Sequence, residues 1–325
     1  MVKYVKPKDL TDRIKDWPEP NFSEGALGVL EKRYLMKDDS GKVVETPKEA
    51  LYRVAHVISG TDKLYGNSNP KESERRFYEL MADGKFFPNS PTIKGAGLDI
   101  NLSACYYLPI EDSREGIFKE GFYNAVCVQA FGGGTGFNFS KLRPRDSLVS
   151  TTKGKASGPI SFMKIFDYGI GPVIAQGGTR NGANMGILNY DHPDIEEFIK
   201  CKLEGEITNF NISVGITEEF MEKVERDEEY ELSHPKSNIK KKVKAKEIFN
   251  KIVHNAWVNG DPGIIFLDRL ERDNPTPHIG KIDGTNPCGE QPLLPLEACN
   301  LGSINLAKFI EYKSGNQNIN YQYRH

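Results

Sequence analysis

The sequence predicts an α/β protein in two parts: a helical stretch over 1–85, and then a region where short apolar segments alternate with helical ones. Three observations predict this. Residues 1–85 carry repeated helix-start signals, each followed by apolar residues at helical spacing. After Phe87-Pro88 the apolar segments shorten to strand length. These segments then alternate with helix-length ones, the order a parallel sheet needs because each crossover runs through a helix.

In the first part, Ser23 is placed to cap a helix that carries Leu27, Leu30 and Tyr34 on one face. Asp38-Asp39-Ser40-Gly41 reads as a turn. Thr46-Pro47-Lys48-Glu49 is a capping box with proline at the first helical position. The helix it opens has Leu51, Val54, Ala55 and Ile58 at i, i+3, i+4 and i+7. Asn69-Pro70-Lys71-Glu72 repeats the signal ahead of Phe77, Leu80 and Met81. In the second part the expected strands are 102–108, 136–140, 185–188, 210–215, 263–267 and 301–306. Helices are expected near 113–130, 158–170, 192–201, 217–226 and 245–259. The charged insert 226–244 reads as a solvated hairpin or loop. Segment 311–325 is polar and follows directly on an expected strand. A parallel sheet needs covering elements on both faces, so we expect the N-terminal part of a larger catalytic unit.

Composition removes several classes of function. Apolar residues make up 38% of 325, enough for a substantial core, and no apolar run reaches membrane-span length. The start Met1-Val2-Lys3-Tyr4-Val5-Lys6 has no apolar signal core, so the expectation is a cytoplasmic protein with no membrane partner. A net charge of −2 gives no general attraction to nucleic acid. Five cysteines, an odd number, suit reduced or catalytic thiols better than a disulfide scaffold. No Cys-x-x-Cys pair exists, and His192, His254 and His278 lack metal-ligand spacing, so no metal is expected. Cys127 and Cys201 fall in expected helices and read as packing residues.

The strongest chemical signal is the run from Asn286 to Ser303. It sets Cys288 between the amide Asn286 and the carboxylate Glu290. Ordinary reactive thiols are ionised by nearby cations or a helix N-terminus. Here the flanking acid works the other way, which suits a thiol used for hydrogen-atom or proton chemistry. The bland reading is a proline-rich loop with an incidental cysteine.

This run, Asn-Pro-Cys-Gly-Glu-Gln-Pro-Leu onward, resembles the finger loop of ribonucleotide reductases, in particular the adenosylcobalamin-dependent class. The resemblance extends over roughly residues 22–310, with several motifs in the expected order. It implies a helical domain over 1–85, followed over 86–325 by the first half of a ten-stranded α/β barrel that includes the finger loop. The implied activity is reduction of ribonucleotides to deoxyribonucleotides by thiyl-radical chemistry, with adenosylcobalamin as cofactor. In that reading Cys288 becomes the thiyl radical and takes the ribose 3′ hydrogen, Glu290 takes the 3′-OH proton, and Asn286 orients the substrate. Cys105, in Leu102-Ser103-Ala104-Cys105-Tyr106-Tyr107, and Cys299 become the redox dithiol that supplies two electrons. Two incidental buried strand cysteines would look the same from sequence alone.

The resemblance also implies a substrate site made from Ser90 (in Phe87-Pro88-Asn89-Ser90-Pro91), Ala104, Cys105, Gly134, Asn286, Pro287, Cys288, Gly289 and Glu290. Gly134 belongs to Gly132-Gly133-Gly134-Thr135-Gly136, which is neither a Walker loop nor a clean dinucleotide fingerprint. Asp112, Arg143 and Arg180 match effector-nucleotide positions. Arg180 sits in the glycine-rich run 176–185, where the guanidinium suits a phosphate. The chain departs from the family at Ala130-Phe131, where polar or basic residues are commoner. It departs again at Asn181, where a second basic residue is common. The implied partners are a ribonucleotide substrate, diphosphate or triphosphate, a deoxynucleotide effector, a complementing C-terminal half, a thioredoxin-like reductant and a second copy in a homodimer. Two alternatives stay open: a reductase fragment using another radical generator, and a non-catalytic nucleotide-binding or assembly fragment.

Overall fold

The computed structural model describes residues 10–66, 69–174, 182–203, 205–311 and 320–321. The chain divides into two compact units, Met1–Ala104 with Asn300–His325, and Cys105–Cys299.

The first unit is mostly helical: α1 (Leu10–Arg13), α2 (Glu24–Arg33), α3 (Pro47–Ser59), α4 (Pro70–Ala82), the short strand β1 (Phe86–Pro88) and α5 (Ser90–Gly95). The start signals at Ser23 and Thr46 cap as read, while α4 begins at Pro70 as expected without a side-chain cap bond from Asn69. Ser23 Oγ accepts from Ala26 N at 3.3 Å. Glu49 N donates to Thr46 Oγ1 at 3.2 Å while Thr46 N donates to Glu49 Oε2 at 2.9 Å, the reciprocal capping box. Asp38 Oδ1 accepts from Ser40 N and Lys42 N and so folds the expected turn. Leu51, Val54 and Ala55 of α3 pack with Tyr78 and Met81 of α4, and the Trp17 ring meets Tyr78 edge-on at 4.8 Å. An ion pair lies inside this unit. Arg53 is fully buried, paired with Glu45 at 2.7 Å, and donates to the carbonyls of Ile93 and Ala96 at 3.1 and 2.7 Å. It thereby fixes α5, the helix that begins at Ser90.

The segment 301–306 was expected to be a further strand of the α/β part. Instead Gly302–Ile304 pairs antiparallel with Phe86–Pro88 inside the first unit. Apolar alternation identifies a strand but not the strand beside it.

The second unit is built on a six-stranded sheet. In chain order its elements are β2 (Cys105–Tyr107), a π-helix (Glu115–Tyr123) running into α6 (Asn124–Gln129), β3 (Gly134–Asn138), α7 (Pro159–Tyr168), β4 (Asn184–Asn189), α8 (Ile195–Lys200), β5 (Phe210–Ile216), α9 (Glu218–Arg226), the hairpin β6 (Glu229–Leu232) and β7 (Lys241–Lys244), α10 (Ala245–Asn259), β8 (Gly263–Phe266), α11 (Leu267–Arg272), β9 (Gly284–Thr285), β10 (Pro292–Leu293) and β11 (Ala298–Cys299). The sheet order is β11-β2-β3-β4-β5-β8. Strands β2, β3, β4, β5 and β8 are parallel and β11 runs antiparallel to β2. A mostly helical N-terminal domain followed by this mixed sheet is the fold class the sequence implied. Strand β4 is buried from Asn184 to Leu188, and β5 alternates buried Phe210, Ile212, Val214 and Ile216 with Asn211, Ser213 and Gly215. Phe137, Phe139, Phe166 and Phe210 interlock in the core beneath them. The charged insert is a hairpin whose Tyr230 and Leu232 turn inward and are buried.

Among the cysteines outside the motifs, Cys201 is half-buried, and burial pushes its thiol up to about 12. Cys127, expected to pack, is exposed instead. Its helix α6 buries Ala125 and Gln129 and turns Cys127 outward. Among the described residues no helix is long and apolar enough to cross a membrane.

Candidate active site

The residues flanking Cys288 form a hairpin. Its stem pairs Thr285 with Pro292 and Gly284 with Leu293. Within the loop, Asn286 N donates to Gln291 O at 3.1 Å, Gln291 N donates to Asn286 Oδ1 at 3.0 Å, and Gly289 N donates to Asn286 O at 3.1 Å. Asn286 therefore ties both sides of its own loop.

The loop is seated on the sheet through glycines. A Cβ at Gly136 would lie 1.8 Å from Thr285 O, and one at Gly134 would lie 2.5 Å from Pro287 Cγ. No side chain fits at either place, and this explains the glycine-rich run that matched no phosphate-loop pattern. Polar contacts complete the seat. Asn211 Nδ2 donates to Pro287 O at 2.9 Å, Asn138 Nδ2 donates to Asp283 O at 2.7 Å, and Tyr107 OH donates to Asp283 Oδ1 at 2.7 Å. Burial, followed by the charge of Asp283, raises the Tyr107 phenol well above its ordinary value and keeps it a donor. None of these four anchors was singled out in the sequence. Each acts across a long separation, and only the glycines it works beside left a local signal.

The seat divides the loop into a buried and an exposed face. Thr285, Asn286 and Pro287 are buried, while Cys288 and Glu290 are exposed. The Asn286 side chain is fully buried, and its Nδ2 has no hydrogen-bond partner among the described residues. A buried amide donor without an acceptor is costly unless something fills it.

Cys105 opens β2 and Cys299 closes β11, and the two are register partners across the antiparallel pair. Both are buried. The Cys299 thiol is pushed up to about 12, first by burial, then by the adjacent Cys105, and further by the Glu290 carboxylate. A group this far above neutral keeps its proton. The finger-loop carboxylate is thus felt electrostatically at the cysteine pair.

Asp112 and Arg143 are also brought together. Arg143 Nη2 lies 2.8 Å from Asp112 Oδ2, and Lys236 Nζ approaches the same oxygen at 3.3 Å. Burial works to raise the Asp112 carboxyl, but the hydrogen bonds and charge of Arg143 and Lys236 outweigh it and the net shift is downward. Ser90 and Ala104 belong to the first unit. There Ser90 Oγ lies 2.8 Å from Tyr34 OH, and Ala104 is buried. Arg180 and Asn181 lie outside the described residues.

Comparison with known proteins gives the family of the chain. Residues 20–101 match the ribonucleotide reductase all-alpha domain, and residues 103–325 match the ribonucleotide reductase barrel domain. The chain belongs to the ribonucleotide reductase family. It is 45% identical to a vitamin B12-dependent ribonucleoside-diphosphate reductase of Thermoplasma acidophilum, over 88% of this chain and 44% of that protein. It is 43% identical to a protein of the same name from Mycobacterium tuberculosis, over 90% and 42% respectively. A ribonucleoside-diphosphate reductase subunit alpha of Synechocystis is 28% identical over 90% of this chain and 42% of its own length. The chain spans less than half the length of these relatives.

Proposed function

We propose that this chain carries the radical and redox thiols of an adenosylcobalamin-dependent ribonucleotide reductase. The observation that carries the proposal is the convergence of Cys105, Cys299 and a finger loop bearing Cys288 and Glu290 in one unit. No local sequence pattern requires residues so far apart to meet.

The chemistry adenosylcobalamin supplies when bound is a carbon-centred radical able to take a hydrogen atom from a thiol. The donor set fits that role: Cys288 is exposed at the loop and flanked by a carboxylate rather than a cation. Cys288, once it has lost its hydrogen atom, takes the 3′ hydrogen of the ribose. Glu290 accepts the 3′-OH proton. The unpartnered Asn286 Nδ2 donates to a ribose oxygen. The 2′ hydroxyl leaves as water, and Cys105 and Cys299 give two electrons and two protons as they close to a disulfide. A thiol held up near 12 enters this step as a proton donor. Cys288 then returns the hydrogen atom to the 3′ carbon, and Glu290 returns its proton to the 3′ oxygen.

Within the second unit, Gly134, Pro287 and Gly289 complete the proposed substrate site, and Asp112, Arg143 and Arg180 form the proposed effector site; Ser90 and Ala104 of the first unit keep the substrate role the resemblance implies. The relatives extend well beyond the matched stretch. We propose that turnover needs the counterpart of that remainder, together with a thioredoxin-like reductant, in a cytoplasmic homodimer.

The test is electron paramagnetic resonance on the complete enzyme with adenosylcobalamin and CDP. The unsubstituted enzyme gives a substrate-dependent radical and forms dCDP. Cys288→Ser abolishes both, because an alcohol O–H bond is too strong for the relay. Cys105→Ser and Cys299→Ser keep radical formation and lose dCDP. A substrate-dependent radical in Cys288→Ser removes Cys288 from its role.

A further inference from the structure

At the N-terminal ends of β3 and β4, three fully buried polar side chains close on one another. Gln129 ends α6, Thr135 lies on β3 and Asn184 opens β4. Gln129 Nε2 donates to Thr135 Oγ1 and to Asn184 Oδ1, both at 2.7 Å, and Thr135 Oγ1 donates to Asn184 Oδ1 at 2.8 Å. Asn184 in turn reaches β5's approach through Nδ2 to Asn209 O at 3.2 Å, and Thr135 N donates to Ala183 O at 2.9 Å. One carboxamide therefore joins a helix end to the start of two strands.

Two further observations give the cluster a direction. Gln129 Oε1 is buried with no hydrogen-bond partner among the described residues, and it faces Gly182. A Cβ on Gly182 would lie 2.5 Å from that oxygen and 2.4 Å from Gly133 O. One residue further on, a Cβ on Gly134 would touch both Pro287 Cγ at 2.5 Å and Ala183 O at 3.3 Å. The chain leading into β4 and the loop that bears Cys288 thus meet at Gly134, and Gln129 sets where the former lies. A methionine would fill the same volume without an unfilled acceptor. A carboxamide in its place leaves a buried oxygen that the fold tolerates only at a cost unless a donor arrives.

We propose that Gln129 is a positioning residue for the nucleotide. It holds Gly182–Asn184 against Gly133–Gly134 and so sets the seat of Pro287. Its Oε1 accepts a main-chain N–H of the Gly182 segment when a nucleotide draws that segment into its bound arrangement. The inference rests on the nucleotide chemistry of the proposed function, but concerns a residue that touches neither substrate nor thiol.

The experiment uses the complete enzyme, with CDP as the probe. Gln129→Met keeps length and removes every hydrogen bond. Gln129→Glu is isosteric, cannot donate to Asn184 Oδ1, and carries the test should the methionine variant fail to fold. Calorimetry is expected to show CDP binding weakened by about tenfold, the size of one buried hydrogen bond. KM rises by a similar factor while kcat stays within about twofold. Amide exchange over 183–186 quickens, and CDP no longer slows it. A role in folding alone would lower kcat and the active fraction and leave KM in place, and that result overturns the proposal. So does unchanged CDP affinity in a folded variant. Absence of CDP binding to the unsubstituted enzyme overturns both this inference and the reductase reading. Normal binding that neither variant disturbs overturns this inference alone.

Discussion

Cys105 and Cys299 face each other as register partners across the β2–β11 antiparallel pair at one edge of the six-stranded sheet. Opposed Cα atoms in such a pair lie about 4.5–5.5 Å apart, inside the range a disulfide spans. The pair can therefore close without a shift of the backbone.

This geometry makes a prediction about the isolated chain, independent of any cofactor. Mild oxidation of the folded protein joins Cys105 to Cys299, and peptide mapping finds that disulfide before any involving Cys127 or Cys201. In the reduced protein the order of alkylation at pH 8 follows exposure and ionisation. Cys288 and Cys127 are exposed and label first. Cys299 and Cys201, both held up to about 12, label last. Labelling of Cys299 as fast as Cys288 would contradict the buried pair.

What the sequence revealed of this site depended on distance along the chain. Asn286, Cys288 and Glu290 share one loop, so their chemistry could be read from adjacent residues. Helix starts at Ser23 and Thr46 were equally legible, because a cap is satisfied within three residues. The seat was not legible. Asp283, Tyr107, Asn138 and Asn211 act through the sheet, and nothing in their neighbours announces it. Gly134 and Gly136 stood out as a run, but their reason, the Pro287 ring and the Thr285 backbone, lies about 150 residues further along. The same limit explains Gly302–Ile304, whose partner strand is Phe86–Pro88. Cys127 was misjudged because residue type was weighed above the helix face.

The seat itself can be tested by adding one carbon. In Gly136→Ala the new Cβ would overlap Thr285 O, a backbone atom with no rotamer to escape into. The loop must lift or β3 must shift. Overpacking of this kind costs roughly 1–3 kcal/mol. Denaturant unfolding should show that loss, and protease cleavage within 284–293 should quicken. Unchanged stability together with unchanged cleavage would mean the loop does not rest on Gly136.

In the first unit, Arg53→Met leaves Glu45 as a buried carboxylate and the carbonyls of Ile93 and Ala96 without their donor. Removing one partner of a buried ion pair costs about 3–5 kcal/mol. Glu45 also accepts from Met36 N at 3.1 Å, so the damage spreads to the chain before α3. Replacing both members, Arg53→Met with Glu45→Gln, should recover part of the loss, because no uncompensated charge is then buried. Additive losses from the two substitutions, measured by chemical denaturation, would show that the pair is not coupled.

His192 sets the pH dependence we expect to be easiest to see. The imidazole is buried, its Nε2 lies 2.9 Å from Leu142 O, and its Nδ1 accepts from Asp194 N at 3.0 Å. These partners fix a neutral ring with the proton on Nε2. A second proton on Nδ1 would point at the Asp194 N–H. Burial lowers the group to about 4, and the facing His234 adds to the shift. The sign follows from the folded value lying below the unfolded one. As pH falls below about 6.5 the unfolded chain takes up a proton that the folded protein refuses, so stability drops. The drop ends near pH 4, where the folded form also protonates. The shift corresponds to a loss of about 3 kcal/mol across that window. Asp191 and Asp194, whose carboxyls are raised chiefly by burial, titrate in the opposite sense. The histidine is therefore read by difference. His192→Asn, which loses the ring's contacts, should be less stable than the unsubstituted protein at pH 7, and the gap should narrow steadily toward pH 4.5. A gap that stays constant over that range in urea unfolding would show that His192 is not held neutral.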